Sequence, residues 1–307
     1  MSQSRSAGQD ANRLRTMMQF VRGVRRAVAR GHSFTPESRL PMRGAPGGTV
    51  EEAPRGDLLS RLRGEPSWFS HAVHTLPFPG LSAPLRLLQL TDVHIRKDGP
   101  WLQALCERLG SLETDLLLLT GDIVTRGWKR EAAGRFLRAL PRARLGSFAI
   151  MGNWEYWGGA QREPWRDFLA EHGVRLLQNE ATRVGELGLA GIDDLLAGEP
   201  DLDKAIAELP PDLPAVVLTH SPALFPLLAR PPVRLVLSGH THAGQVRIPG
   251  LGAPFLPLGT GPYVGGWYRE RGVDLFVGRG VGWSIAPVRL WCPPELAEIR
   301  LVPLPGA

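Results

Sequence analysis

The chain has 307 residues, 43% hydrophobic and 21% charged; this is the balance of a globular domain and excludes a wholly disordered or fibrous protein. Its formal net charge of +6 sits in the first 70 residues, where 12 arginines face 6 acids. The rest is formally neutral and offers no basic track for a nucleic-acid backbone. The two cysteines, Cys106 and Cys292, stand far apart and outside any CxxC spacing, so neither a disulfide framework nor a thiolate zinc site is implied, and they read as two buried reduced thiols.

Residues 12 to 30 place Leu14, Met17, Met18, Val21, Val24 and Val28 at helical spacing, with arginines over much of the opposite side. That predicts a basic amphipathic helix. Such a helix suits the interface of an anionic membrane; the alternative is a helix seated on its own domain, or a basic tail. Arg13, Arg15, Arg22, Arg25 and Arg26 interrupt every apolar stretch that a signal peptide needs, and no run approaches a membrane span. The expected location is therefore cytoplasmic, peripheral on the inner membrane face. Residues 31 to 66, rich in Pro, Gly, Ser and Arg, read as a linker. The organisation expected is a basic extension over 1 to 70 and one folded domain over 71 to 307, its core starting near Leu76 or Leu85.

From there short apolar runs alternate with helical patterns. Strands are predicted at 85 to 90, 115 to 120, 147 to 151, 187 to 192, 215 to 219 and 234 to 238, and helices near 101 to 110, 129 to 140, 164 to 172 and 202 to 208. Three closing segments, VDLFVG, VRLW and AEIRLV, read as further strands without intervening helices. Strands apolar on both faces belong in a covered sheet, so the fold class is α/β and layered.

Five of these strands end in side chains that bind metals. LQLTDVH delivers Asp92 and His94, LLLLTGD delivers Asp122, FAIMGN delivers Asn153, VVLTH delivers His220, and LVLSGHTH delivers His240 and His242. Loops beyond the carboxyl ends of strands form the ligand crevice of α/β sheets, so these residues should converge. Imidazole and carboxylate together suit manganese, iron or zinc better than calcium or magnesium. Glycines before Asp122, Asn153 and His240 are read as letting the backbone turn and approach the ions.

The motifs DVH (92 to 94), GD (121 to 122), GNWE (152 to 155), His220 and GHTH (239 to 242) resemble, in order and spacing, those of the calcineurin-like metallophosphoesterases. The likeness covers roughly residues 85 to 300. The segments GIDD, HTHAGQVRIP, FVGRGVG and PVRLWCPPE are similar to a bacterial branch with membrane-associated phosphoesterases and some lipid A precursor hydrolases. The resemblance implies a layered α-β-β-α sandwich and a hydrolase that cleaves a phosphodiester or phosphoanhydride with a metal-bridging hydroxide. It implies one divalent ion on Asp92, His94 and His242, a second on Asn153, His220 and His240, and Asp122 bridging both. The substrate implied is a phosphorylated small molecule or a lipid-linked phosphate. A noncatalytic metal-binding scaffold and a nuclease stand as alternatives.

One position departs from the family. Where GNH[DE] has a histidine thought to stabilise the transition state or protonate the leaving group, this chain has Trp154, whose indole cannot transfer a proton at neutral pH. That favours a leaving group that is already a weak base, or a proton from elsewhere, with His172 or Glu155 as candidates. Asp194 and Arg279 are candidate substrate contacts, with Asp193 and Asp194 also readable as a helix cap, and Arg289 as a phosphate contact or, more commonly, a surface arginine. Trp157, Trp267 and Trp283 are read as packing residues, while GPYVGGWY could line an apolar groove. His32, His71 and His74 are placed outside the core and given no role.

Overall fold

A computed structural model describes residues 49 to 51, 69 to 248 and 251 to 304. The predicted helix over 12 to 30 lies outside the described residues. The strands of one seven-stranded sheet are β1 (Thr49–Glu51), β2 (Ser70–Phe78), β3 (Leu85–Leu90), β4 (Leu116–Thr120), β5 (Ser147–Ile150), β6 (Val174–Leu176) and β13 (Glu295–Pro303), in the order β1-β2-β13-β3-β4-β5-β6. A second sheet of six has β7 (Glu180–Val184), β8 (Leu187–Gly191), β9 (Ala215–Leu218), β10 (Val233–Ser238), β11 (Gly266–Glu270) and β12 (Val273–Val277), in the order β11-β12-β10-β9-β8-β7.

Three apolar clusters define the layers. One joins the sheets, with Leu87, Leu118 and Ile150 from the first against Leu189, Leu218, Leu237 and Phe276 from the second. Another seats α1 (Pro100–Leu109), α2 (Arg130–Ala139) and α4 (Arg162–Ala170) on the first sheet through Leu105, Phe136 and Trp165. The third covers the second sheet with α5 (Leu202–Ala207) and α6 (Phe225–Leu228). This is the α-β-β-α sandwich, and it explains why LLLLT of β4 is buried at every position: a strand covered on both faces has no polar side to present. In α2 the buried residues Ala132, Ala133, Phe136 and Leu137 fall on one face at helical spacing, as a surface helix requires. A short helix, α3 (Asn153–Trp157), follows β5.

The structure corrects the sequence reading at several points. The core begins earlier than Leu76, because β2 runs parallel to β13 in unbroken register from Ser70 to Phe78. His71 and His74 are therefore inside the fold. His71 Nε2 lies 3.0 Å from Glu298, and the His74 ring meets Phe276 and Trp267 at centroid distances of 4.8 Å and 5.6 Å. VRLW is not a strand: it makes one bridge, Leu290 to Val246, too little pairing to form a ladder. Strand β1 pairs with β2 inside the stretch read as linker. The tryptophans also divide: Trp267 is buried as expected, but Trp157 is half exposed.

Candidate metal centre

Asp92 and His94 follow β3, Asp122 follows β4, and Asn153 opens α3; from the second sheet, His220 follows β9 and His240 and His242 follow β10. All seven are buried. The ligand atoms of six of them form two groups, Asp92 with His94 and His242, and Asp122 with His220 and His240, each within 4.8 Å. Asp122 faces both: its Oδ2 lies 3.1 Å from His220 Nε2 and 3.7 Å from His94 Nε2. Strand ends of two sheets thus supply one site at their common rim.

The backbone is forced at this rim. Asp92, His94, Asp122, His240 and His242 all have φ between 49° and 72°, the left-handed region that costs a non-glycine residue of order 1–3 kcal/mol and persists only where its surroundings over-determine it. Glycines make the crowding possible, for two different reasons. Gly121 has φ +89°, and a Cβ there would lie 2.7 Å from His220 Nδ1. Gly152 has an ordinary extended backbone, so its glycine is required by space and not by a turn: a Cβ would collide with the Asp122 carboxylate.

Hydrogen bonds orient the donors. His220 Nδ1 is 2.8 Å from the Thr120 carbonyl and His240 Nε2 is 2.6 Å from the Leu258 carbonyl; carbonyls only accept, so these nitrogens carry the protons. The other nitrogens, His220 Nε2 and His240 Nδ1, meet at 3.2 Å. Asp92 accepts from Thr91 Oγ1 at 2.7 Å and from the His240 amide at 2.9 Å, tying the sheets together. Burial pushes His94 and His240 down to about 4, and holds His242 well below the usual imidazole range, with the neighbouring charges of His94 and Arg289 adding to it. Burial alone would lower His220 too, but Asp122, with Asp92 and Asp194, outweighs it and raises that histidine.

Asn153 Oδ1 is buried without a hydrogen-bond partner, which a neutral core amide would not tolerate without cost. An orphaned amide oxygen, carboxylates and mostly neutral imidazoles form a donor set that fits divalent cations.

The remaining candidates fall elsewhere. Glu155 is turned to the backbone and not to the ligand groups: its side-chain oxygens take the N–H groups of Asp122 (2.9 Å), Gly152 (2.7 Å) and Val124 (3.0 Å), clamping the loops that carry Asp122 and Asn153. His172 belongs to the outer helix layer, its Nδ1 2.9 Å from the Phe168 carbonyl. Asp194 Oδ1 caps a turn through Leu196 and Ala197 N–H, at 2.9 Å and 2.7 Å, while its Oδ2 is buried and unpartnered. Arg279 is engaged by Glu295 at 2.6 Å. Arg289 is no surface residue: it is fully buried, donating to the Gly282 and Arg279 carbonyls and lying 3.2 Å from His242 Nδ1. Sequence reasoning missed its role and that of Glu155, since only the fold shows what a buried charge touches. Trp154 donates its amide to Asp122 Oδ1 at 2.8 Å and sets its ring against His94 and Trp157.

Residues 85–244 match the calcineurin-like phosphoesterase family, and a protein of Escherichia coli, phosphodiesterase YaeI, is 32% identical over 251 residues, covering 78% of this chain and 90% of that protein. The chain belongs to this family. An uncharacterised metallophosphoesterase of Helicobacter pylori is 32% identical over 238 residues, 73% of this chain and 61% of that protein, so the calcineurin-like chain spans about three fifths of that relative's length. UDP-2,3-diacylglucosamine pyrophosphatase LpxG of Chlamydia muridarum is 26% identical over 282 residues, 70% of this chain and 83% of its own length. Calcineurin-like phosphoesterases use two divalent metals, and the two Asp/His groups described above are where this chain offers ligands for them.

Proposed function

We propose that residues 71 to 307 form a dimetal phosphohydrolase that cleaves a phosphodiester or phosphoanhydride, on a lipid-linked substrate. The observation that carries this is Asp122 facing both ligand groups, with Trp154 standing beside it. Asp92, His94 and His242 would hold one cation, Asn153, His220 and His240 the other, and Asp122 both. Two bound ions of the Mn, Fe or Zn type supply an activated water and neutralise charge on the phosphate oxygens. Hydrolysis joins the water oxygen to phosphorus as the bond to the leaving oxygen breaks, and that oxygen must then take a proton or already be a weak base. Trp154 has no proton to give, so the chemistry favours a leaving group such as a phosphoryl species.

The lipid part rests on the surface beside the site. Leu251, Phe255 and Leu258 are exposed, Phe255 at 81%, and the Leu258 carbonyl is the partner of His240. Exposed apolar side chains gathered in one segment mark an interaction surface. One relative is named as a pyrophosphatase of UDP-2,3-diacylglucosamine, which agrees with an anhydride joined to an apolar group. The basic pattern of residues 12 to 30 would suit an anionic membrane surface; among the described residues no helix is long and apolar enough to cross a membrane.

The test is turnover of bis-p-nitrophenyl phosphate, p-nitrophenyl phosphate and a nucleotide diphosphate sugar by the full chain. Turnover should vanish after chelation and return with manganese. Activity indifferent to chelation, or no activity on any of the three, would end the proposal. A second expectation concerns the leaving group. Trp154→His should raise the rate on an alkyl ester by up to about 10²-fold while changing a p-nitrophenyl ester little. Equal changes on both esters would show that the residue at this position does not govern proton supply.

A further inference from the structure

We infer that the cavity beside His94 is an anion subsite for a second charged group of the substrate, so that the substrate is a phosphoanhydride carrying an apolar organic group. This rests on the dimetal reading and goes further, because it selects among the substrates that reading allows. The cavity measures about 360 Å³, and His94, Arg96, Lys97, Trp283 and Ile285 are among its walls. His94 connects it to the ligand group of Asp92 and His242.

Arg96 and Lys97 are exposed, and neither forms an ion pair among the described residues. Asp98, the carboxylate in the lining, is turned to Arg135 at 3.0 Å and to the Gly99 amide at 2.9 Å. Arg96 follows His94 by two residues and lines the same cavity. Two exposed cations in the wall of a cavity that adjoins a centre built for two dications add to the positive field there, and that field favours an anion between them. The scissile phosphate lies on the metals, so the anion that answers Arg96 and Lys97 is a further one. A guanidinium fork with an adjacent ammonium is the usual protein answer to a phosphate.

The other wall has the opposite character. Trp101 and Trp283 meet edge to face at a centroid distance of 5.1 Å, and Ile285, at 91% exposure, stands on the rim. The loop of Ile285 is tied to the segment after His242 by Gln245, whose side chain bonds the Ala286 carbonyl at 2.7 Å and the Ser284 amide at 3.0 Å. An amphiphilic diphosphate fits this order: one phosphorus at the metals, the next between Arg96 and Lys97, the organic group over Trp283 and Ile285.

The experiment measures binding of octyl methylenediphosphonate and octyl phosphonate to the manganese-loaded full chain by calorimetry, and their inhibition of bis-p-nitrophenyl phosphate turnover. The parent protein should prefer the diphosphonate by about tenfold or more, and the double variant Arg96→Ala, Lys97→Ala should lose most of that preference. Arg96→Glu should reverse it. Both residues are exposed, and unchanged melting of the variants shows that they are folded. A preference that survives in the double variant arises at the metals alone and overturns the subsite, as does a parent protein without any preference. If the parent turns over none of bis-p-nitrophenyl phosphate, p-nitrophenyl phosphate and a nucleotide diphosphate sugar, the dimetal reading fails first; the calorimetric preference is read separately, so the two failures are distinguishable.

Discussion

Asp122→Asn should reduce turnover of every phosphate substrate by about 10³-fold or more, and should lower the metal content from two ions per chain to one or none. The reason is position. Asp122 Oδ2 lies 3.1 Å from His220 Nε2 and 3.7 Å from His94 Nε2, so it is the carboxylate that both ligand groups share. An amide in its place keeps the shape but removes the negative charge that draws two cations close together. It also offers a hydrogen-bond donor where only acceptors are useful. Charge neutralisation by metal ions is worth several kcal/mol in the transition state, and each 1.36 kcal/mol is a factor of ten. The fold should survive, because Asn can still accept the Trp154 amide bond at Oδ1. Metal analysis together with steady-state rates decides the matter: two ions retained with near-normal turnover would remove Asp122 from the centre of the mechanism.

That residue and its six companions were readable without a structure, because each follows an apolar run long enough to be recognised as a buried strand. The same rule explains what was not readable. Strand β2, SHAVHTLPF, hides two histidines among its apolar positions, and only the pairing with β13 shows them to be interior. Strand β7, EATRV, lies at a sheet edge and keeps most of its residues partly exposed, so its pattern is too polar to register as a core strand. The inward turn of Arg289 depends on carbonyls contributed by Gly282 and Arg279, which no local pattern announces. Periodicity reports which face is buried; it is silent about what a buried charge will touch. The strain at five of the ligands was equally hidden, since a left-handed φ at Asp or His leaves no mark on composition. Five of the ten left-handed non-glycine residues among the described residues are ligands, a concentration that accords with a rim shaped for binding.

Glu155→Gln should have opposite consequences in the loaded and the metal-free protein. Burial and the nearby charge of Asp122 push the Glu155 carboxyl up to about 8; burial likewise raises Asp92 and Asp194 to about 6. A carboxyl raised on folding binds a proton that the unfolded chain would release. Its contribution is therefore fully present below about 4.5, the ordinary Glu value, and is lost as pH climbs through the folded value near 8. The chelated protein should lose stability over that window. The Gln variant, neutral throughout, should show a flatter profile and match or exceed the parent above pH 8. With cations in place the balance moves toward the ionised form, because they offset the Asp122 charge that, after burial, opposes ionisation. Glu155 then acts as a carboxylate holding three backbone N–H groups. A Gln can satisfy these only by turning its NH2 toward at least one of them, and losing charge-assisted bonds of this kind costs about 3 kcal/mol. For a domain of this size that is a fall in Tm of roughly 6–12 °C. Melting curves from pH 4 to 9, with and without manganese, separate the two effects. Parallel profiles for parent and variant in the chelated protein would show that Glu155 is not the group whose proton is linked to folding. An unchanged Tm in the loaded protein would show that its grip on the Asp122 and Gly152 amides is dispensable.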